Sequence, residues 1–185
     1  NAELFREERS NILQTRTDVP STLGLRTIPQ ANIGVAEGKG FEVSAQYLQT
    51  FGTEIWIVGN GNFTYATSKY LKFEEPDYSD VPWRSQVGLK LGQPLGYIAE
   101  RFFIDDEEVS NAPVQEFGEY RGGDIKYKDI NKDGRINSDD LVPIGFPTVP
   151  EIIYGAGLSF GIHSFDISVF FQGSARSSFF IDAAA

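Results

Sequence analysis

Apolar and polar residues alternate with a period of two along four stretches of the chain, as half-buried strands require. In Gly40–Leu48 one side carries Phe41, Val43, Ala45 and Tyr47, and the other Glu42, Ser44 and Gln46. Glu54–Ser68 sets Ile55, Ile57, Gly59, Gly61, Phe63 and Tyr65 against Glu54, Trp56, Val58, Asn60, Asn62 and Thr64. Tyr154–Phe160 opposes Tyr154, Ala156, Leu158 and Phe160 to Gly155, Gly157 and Ser159. Phe165–Ser174 is the cleanest, with Phe165, Ile167, Val169 and Phe171 against Asp166, Ser168, Phe170, Gln172 and Ser174. Two joins are very short, Phe51-Gly52-Thr53 and Ile162-His163-Ser164, and predict tight hairpins.

The other connections are long. Thr15–Lys39 contains Pro20 and Pro29, and Lys69–Pro150 contains Pro76, Pro82, Pro94, Pro113, Pro143, Pro147 and Pro150. Tight turns on one side and long loops on the other form the pattern of an outer-membrane β-barrel, whose strands need about 9–11 residues to cross the bilayer. A soluble antiparallel sheet with one face on a core alternates in the same way, so alternation alone leaves both architectures open. The opening segment, Ala2–Gln14, is charged at Glu3, Arg6, Glu7, Glu8 and Arg9, which suits a helix or the outer part of a strand projecting beyond a membrane.

Composition narrows the function classes. The chain has 185 residues, 41% hydrophobic and 23% charged, enough for an ordered domain. It starts at Asn1, contains no Met and ends in three alanines, and the expectation is an internal segment of a longer protein. The balance of 26 acids and 16 bases gives a net charge of -10, which repels phosphate backbones and argues against nucleic acid as a partner. The absence of Cys removes disulfide scaffolds, zinc ribbons and thiol catalysis, and the single His163 removes any site built on two imidazoles. No apolar run is long enough for a transmembrane helix.

The strongest local motif is Asp129-Ile130-Asn131-Lys132-Asp133-Gly134-Arg135-Ile136-Asn137-Ser138-Asp139-Asp140. It fits a calcium loop of the EF-hand type: Asp129, Asn131 and Asp133 at positions one, three and five, Gly134 for the sharp turn, the Arg135 carbonyl at seven, and Asn137 at nine. Ile136 is the apolar residue that would pin the loop to its neighbours. Position twelve is Asp140, one methylene shorter than the usual Glu. A structural calcium ion is the expected cofactor, against the alternative of an ion-free loop of Asx turns. No helical pattern flanks the loop, so a paired EF-hand is not expected.

The remaining motifs carry no catalytic signal. Gly155–Gly161 is glycine-rich but lacks the dinucleotide spacing and a following helix. His163 reads as a solvated turn residue, and Glu74 and Glu75 as solvated loop. Trp83, Tyr78 and Tyr120 could stack on a sugar face, but side chains of this type more often anchor local packing. The chain is not expected to be an enzyme.

The run Gly122-Gly123-Asp124-Ile125-Lys126-Tyr127-Lys128 leading into the Asp129–Ile136 loop, with Asp140, Ile144-Gly145, Pro147 and Pro150 after it, resembles the C-terminal barrel region of the SusC/RagA family of TonB-dependent outer-membrane transporters. Tyr154–Phe160 and Phe165–Gly173 resemble the paired strands after that loop; Arg9–Leu13, Asn32–Gly34 and Lys39–Glu42 also match. The resemblance implies an all-β chain, residues 1–185 forming part of a barrel of 22 strands in the outer membrane, surrounded by lipid, with the plug and remaining strands elsewhere. It also implies a SusD-like surface lipoprotein, energisation by the TonB complex through the N-terminal part, and import of oligosaccharides or, in some members, peptides. Barrel topology then makes 69–150 one extracellular excursion with no net crossing, carrying the calcium-type loop 129–140. Two further readings compete. A dockerin-like module would need a second such loop and a helix after each, and a secreted carbohydrate-binding β-sandwich with structural calcium would bury its apolar strand faces against each other.

Overall fold

The computed structural model describes residues 1–17, 24 and 26–181. Pro20 of the first long connection and the terminal alanines lie outside the described residues. Five long strands form a single antiparallel sheet: β1 (Ala2–Thr15), β2 (Gln30–Phe51), β3 (Ile55–Lys72), β10 (Ile152–Ile162) and β11 (Phe165–Ala175), hydrogen-bonded in that order. The sheet is open, so the chain by itself closes no barrel.

The strands run further than alternation reveals. β2 extends through Glu37 and Lys39, residues that break the apolar pattern, so residues 30–39 of the expected Thr15–Lys39 connection are strand. The Ala2–Gln14 segment is a strand and not a helix, because each of its residues from Ala2 to Arg9 pairs with β2. The hairpin turns fall at 52–54 and 163–164, where Gly52 (φ 65°) and His163 (φ 53°) take the left-handed conformation that matches strand twist.

Register puts the apolar positions in rows. Leu4, Phe41 and Tyr65 lie side by side, as do Ala2, Val43, Phe63 and Tyr154, then Leu158 and Val169. This face is exposed: Leu4, Val43, Tyr47, Leu158, Ile167, Val169 and Phe171 are all largely open. The other face carries Ser44, Gln46, Asn60, Asn62, Thr64, Ser159, Ser168 and Gln172, and Phe170 packs there against the glycine faces of Gly155 and Gly157. Among the described residues the buried hydrophobics are Ala36, Phe103 and Ile136. Among the described residues no second sheet covers either face, as a β-sandwich would require; the other sheets are short two-stranded ribbons within residues 95–143.

β3 and β10 are direct neighbours, so the long connection leaves and re-enters the sheet at one end. It is not structureless. Three ribbons organise it: β4 (Leu95–Gly96) with β9 (Val142–Pro143), β5 (Ala99–Phe102) with β7 (Ile125–Tyr127), and β6 (Val114–Gln115) in parallel with β8 (Arg135–Ile136). A short helix α1 (Asp106–Asn111) follows β5, with Asp105 capping it through Glu108 N–H at 2.8 Å.

Candidate functional site

The excursion between β3 and β10 holds most of the charge pairing and aromatic packing outside the sheet. Its six candidate metal ligands share one loop, and hydrogen bonds to backbone amides shape that loop. Asp129 accepts from Lys132 and Gly134 N–H (2.6 and 2.8 Å), Asn131 from Asp133 N–H (3.1 Å), and Asp133 from Arg135 N–H (2.8 Å). Lys132 (φ 63°) and Gly134 (φ 82°) supply the left-handed residues of the turn. Arg135 reaches Glu116 at 2.6 Å with its side chain. Asn137 and Asp140 form a reciprocal cap around a 3₁₀ turn, Ser138–Asp140: Asn137 Oδ1 accepts from Asp139 N–H, and Asp140 Oδ2 from Asn137 N–H. Asp140 Oδ1 also accepts Ile130 N–H at 2.7 Å, and the residue is fully buried beside the equally buried Ile136. Among the described residues no three His, Cys, Asp or Glu side chains come together to hold a metal ion. The last three positions of the loop form this 3₁₀ turn and the next element is the short strand β9, not a helix, so the dockerin-like reading has no support here.

The aromatic residues are packing anchors. Trp83 donates its indole N–H to the Asp139 carbonyl at 2.7 Å, the Arg84 guanidinium sits over the Tyr78 ring, and Tyr120 stacks on Phe103 while its hydroxyl accepts Gln115 N–H. Tyr97, Phe117 and Tyr127 form a three-ring cluster with centroids 4.8–5.5 Å apart. His163 lies 2.7 Å from Glu54 at the far end of the sheet. Glu74 pairs with Arg16 at 2.6 Å, while Glu75 accepts Gln86 N–H.

Two charged clusters had no sequence signal. Glu151, nearly buried just before β10, accepts from the Thr67 hydroxyl at 2.7 Å and pairs with Lys90 (2.7 Å) and Arg176 (3.0 Å). Burial raises its pKa, but the bonds from Lys90 and Thr67 and the two positive charges outweigh that and hold it below the ordinary value. Glu108 is the second. It bonds to Arg101, to Ile104 N–H and to Lys126, and these interactions, Arg101's the largest, bring its pKa from 4.5 to about 2. A carboxyl with a depressed folded-state pKa adds stability that is complete above its unfolded value and is lost as pH falls through the folded one. The junction of β5, α1 and β7 is therefore expected to loosen between pH 4.5 and about 2. Pepsin cleavage at Phe102–Phe103, scaled to an unstructured reference peptide, should rise over that interval. Glu108→Gln should be cleaved at the raised rate throughout.

No family model matches the chain. TonB-dependent receptor P26 of Formosa agariphila is 25% identical over 194 residues, covering 94% of this chain and 19% of that protein. The RagAB peptide importer in its open-open state superposes with a TM-score of 0.64 at 14% identity, over 95% of this chain and 18% of the solved one. Its closed-closed state gives 0.60 over the same 95%. The chain thus spans about a fifth of the length of the proteins it matches.

Proposed function

We propose that the chain is a segment of a SusC/RagA-type TonB-dependent transporter, its five strands forming part of the wall of an outer-membrane barrel importing oligosaccharides or peptides. The exposed apolar face carries this reading. A single sheet that leaves Val43, Tyr47, Leu158, Val169 and Phe171 open has no partner for them among the described residues, and lipid is the solvent such a face fits. The opposite face, rich in Asn, Ser and Gln, lines the lumen, where a plug domain coupled to TonB would sit.

The excursion 73–151 lies outside the cell in this arrangement, since the tight turns mark the periplasmic side. It offers a surface-exposed lipoprotein of the SusD type an apolar contact: Phe102 and Ile125 pair across β5 and β7, with Ile104 beyond, and all three are exposed. For loop 129–140 we propose an order set by Asp129 and Asp140 acting on backbone amides, with calcium bound on that framework rather than creating it.

Cysteine substitution in the full-length transporter tests the wall assignment, as the segment has no native Cys. Cysteines at Val43, Phe63 and Leu158 should react with a lipid-soluble maleimide and resist a charged one. Cysteines at Ser44, Asn62 and Ser159 should show the reverse preference. The same preference at both sets would defeat the proposal.

A further inference from the structure

The polar face of the sheet holds one aromatic ring among amides and hydroxyls. Phe170 of β11 rests across β10, its Cζ against Gly155 and its Cδ2 against Gly157. From the other side Asn62 and Asn60 of β3, the register partners of these two glycines, lay their Oδ1 atoms over them. A Cβ at either glycine would collide with the amide and crowd the ring, so the glycines let the three side chains meet. Phe170 is 59% exposed, and the part of the ring that is not on β10 faces open space. Beside Asn60 and Asn62 the surface continues into an open furrow of about 740 Å³, lined on its far side by Ser44 and Gln46 of β2. That volume falls within the range of small-ligand sites, about 300–1,000 Å³.

The polar groups here are not used up within the sheet. Among the described residues the side chains of Ser44, Gln46, Asn60, Asn62 and Gln172 make no hydrogen bond, and all five are exposed. In the next row toward the hairpins Ser168 donates to Ser159 at 2.9 Å, which leaves Ser159 a hydroxyl to donate in turn. The face is also free of cations: from the paired Glu3 and Glu42 at its outer end to Asp166 near the hairpins, no Lys or Arg lies on it. An anionic ligand would meet only carboxylates there. Apolar surface laid over these amides would leave them unsatisfied, at a cost for each. Sugar hydroxyls both donate and accept, so they replace water at every one of these groups.

We propose that this site binds a neutral sugar unit of an oligosaccharide in transit, with Phe170 as the stacking platform and Asn60 and Asn62 bonding its hydroxyls. The inference rests on the polar face being the lumen wall, and it chooses between the two cargo classes. The C–H groups on one face of a pyranose carry partial positive charge and suit the negative face of an aromatic ring. Asn60 and Asn62 stand about 7 Å apart along one side of β3, a span that one hexose and its hydroxyls can bridge. A peptide fits less well. Its apolar side chains need a recess, and Phe170 already fills the glycine floor.

The test uses the full-length protein in detergent, with Ser44→Cys as its only reactive cysteine and a charged maleimide as the label. Neutral hexasaccharides of glucose, xylose and mannose are added one at a time, beside pentaalanine as a peptide probe. At least one sugar should slow the labelling, and Phe170→Ala should raise its half-protecting concentration about tenfold. Asn60→Ala combined with Asn62→Ala should raise it by a similar factor. Phe170→Tyr, which keeps the ring, should stay near the starting value, as should Thr50→Ala, on the same face two rows nearer the hairpins. Protection by none of the sugars, or undiminished protection in Phe170→Ala, would overturn the proposal. Protection by pentaalanine alone would give the site to peptides instead. A Ser44→Cys thiol that reacts with neither the charged nor the lipid-soluble maleimide would mean that another part of the protein covers the furrow, and the sugar site alone would fall. If that thiol prefers the lipid-soluble reagent, the wall assignment fails and this proposal with it.

Discussion

Glu151→Ala should detach the excursion from the sheet while leaving the strands paired. The carboxylate is 3% exposed and joins three parts of the chain: Thr67 of β3, Lys90 of the excursion and Arg176 just beyond β11. Arg176 Nε lies 3.0 Å from Oε2, yet that oxygen has no hydrogen bond of good geometry, so Arg176 acts mainly through its charge. Removing the acid leaves two cations facing each other at a site already stacked with rings, since Arg176 lies over Tyr65 and Phe146 and Lys90 over Phe146. Breaking a buried pair costs about 3–5 kcal/mol; the lower end applies here because Lys90 and Arg176 are partly exposed. The measurement is limited trypsin digestion of the full-length protein in detergent. Cleavage near Lys90 and Arg84 should accelerate by roughly a hundredfold, the kinetic equivalent of about 3 kcal/mol of local opening. Glu151→Gln, which keeps the shape and the Thr67 bond, should fall between. Wild-type resistance in Glu151→Ala would mean that backbone bonds such as Ala66 N–H to the Glu151 carbonyl hold the excursion alone.

The contrast between Glu151 and the strands explains what the sequence could disclose. A strand in a one-layer sheet announces itself, because each side chain faces one of two solvents and the alternation is written locally. Phe165–Ser174 was legible on that ground, and β11 covers it almost residue for residue. The alternation ends where the face stops being apolar: Glu37 and Lys39 continue β2 into the polar zone with no change of backbone. The excursion is harder still, as ribbons of two to four residues have no period to read. Within it, the spacing of Asp129–Asp140 marked the turn, and Ile136 proved to be the buried pin expected of it. Glu151 and Glu108 left no mark, because the partners of Glu151 lie far along the chain and those of Glu108 come together only when β5 pairs with β7. Trp83, Tyr78 and Tyr120 were legible as aromatic, but not as bonded to Asp139, Arg84 and Gln115.

Asp140 decides between two accounts of the 129–140 loop, because the two predict different responses to chelation. If the carboxylate works through hydrogen bonds, Asp140→Ala strands the amides of Ile130 and Asn137, both part-buried and otherwise served at 2.7 and 2.9 Å. Each unsatisfied donor costs about 1–3 kcal/mol, so the pair should cost roughly 4. Asp140→Asn should recover only part of this, since one oxygen becomes a donor pointing at another donor. Asp140→Glu should also destabilise, by about 1–3 kcal/mol, because a fully buried site has no room for the extra methylene. That crowding gives a physical reason for Asp where calcium loops usually carry Glu. The readout is trypsin cleavage after Lys132 and Arg135 in the full-length protein, with calcium and with EDTA. The hydrogen-bond account expects a large increase in cleavage for Asp140→Ala of the same size in both buffers, and little effect of EDTA on the wild type. Were EDTA to expose the wild-type loop as fully as Asp140→Ala does, calcium would be the organiser, and Asp129, Asn131, Asp133, Asn137, Asp140 and the Arg135 carbonyl would be its ligands. The amide bonds to Asp129 and Asp140 favour the first outcome, for they already close the loop at both ends.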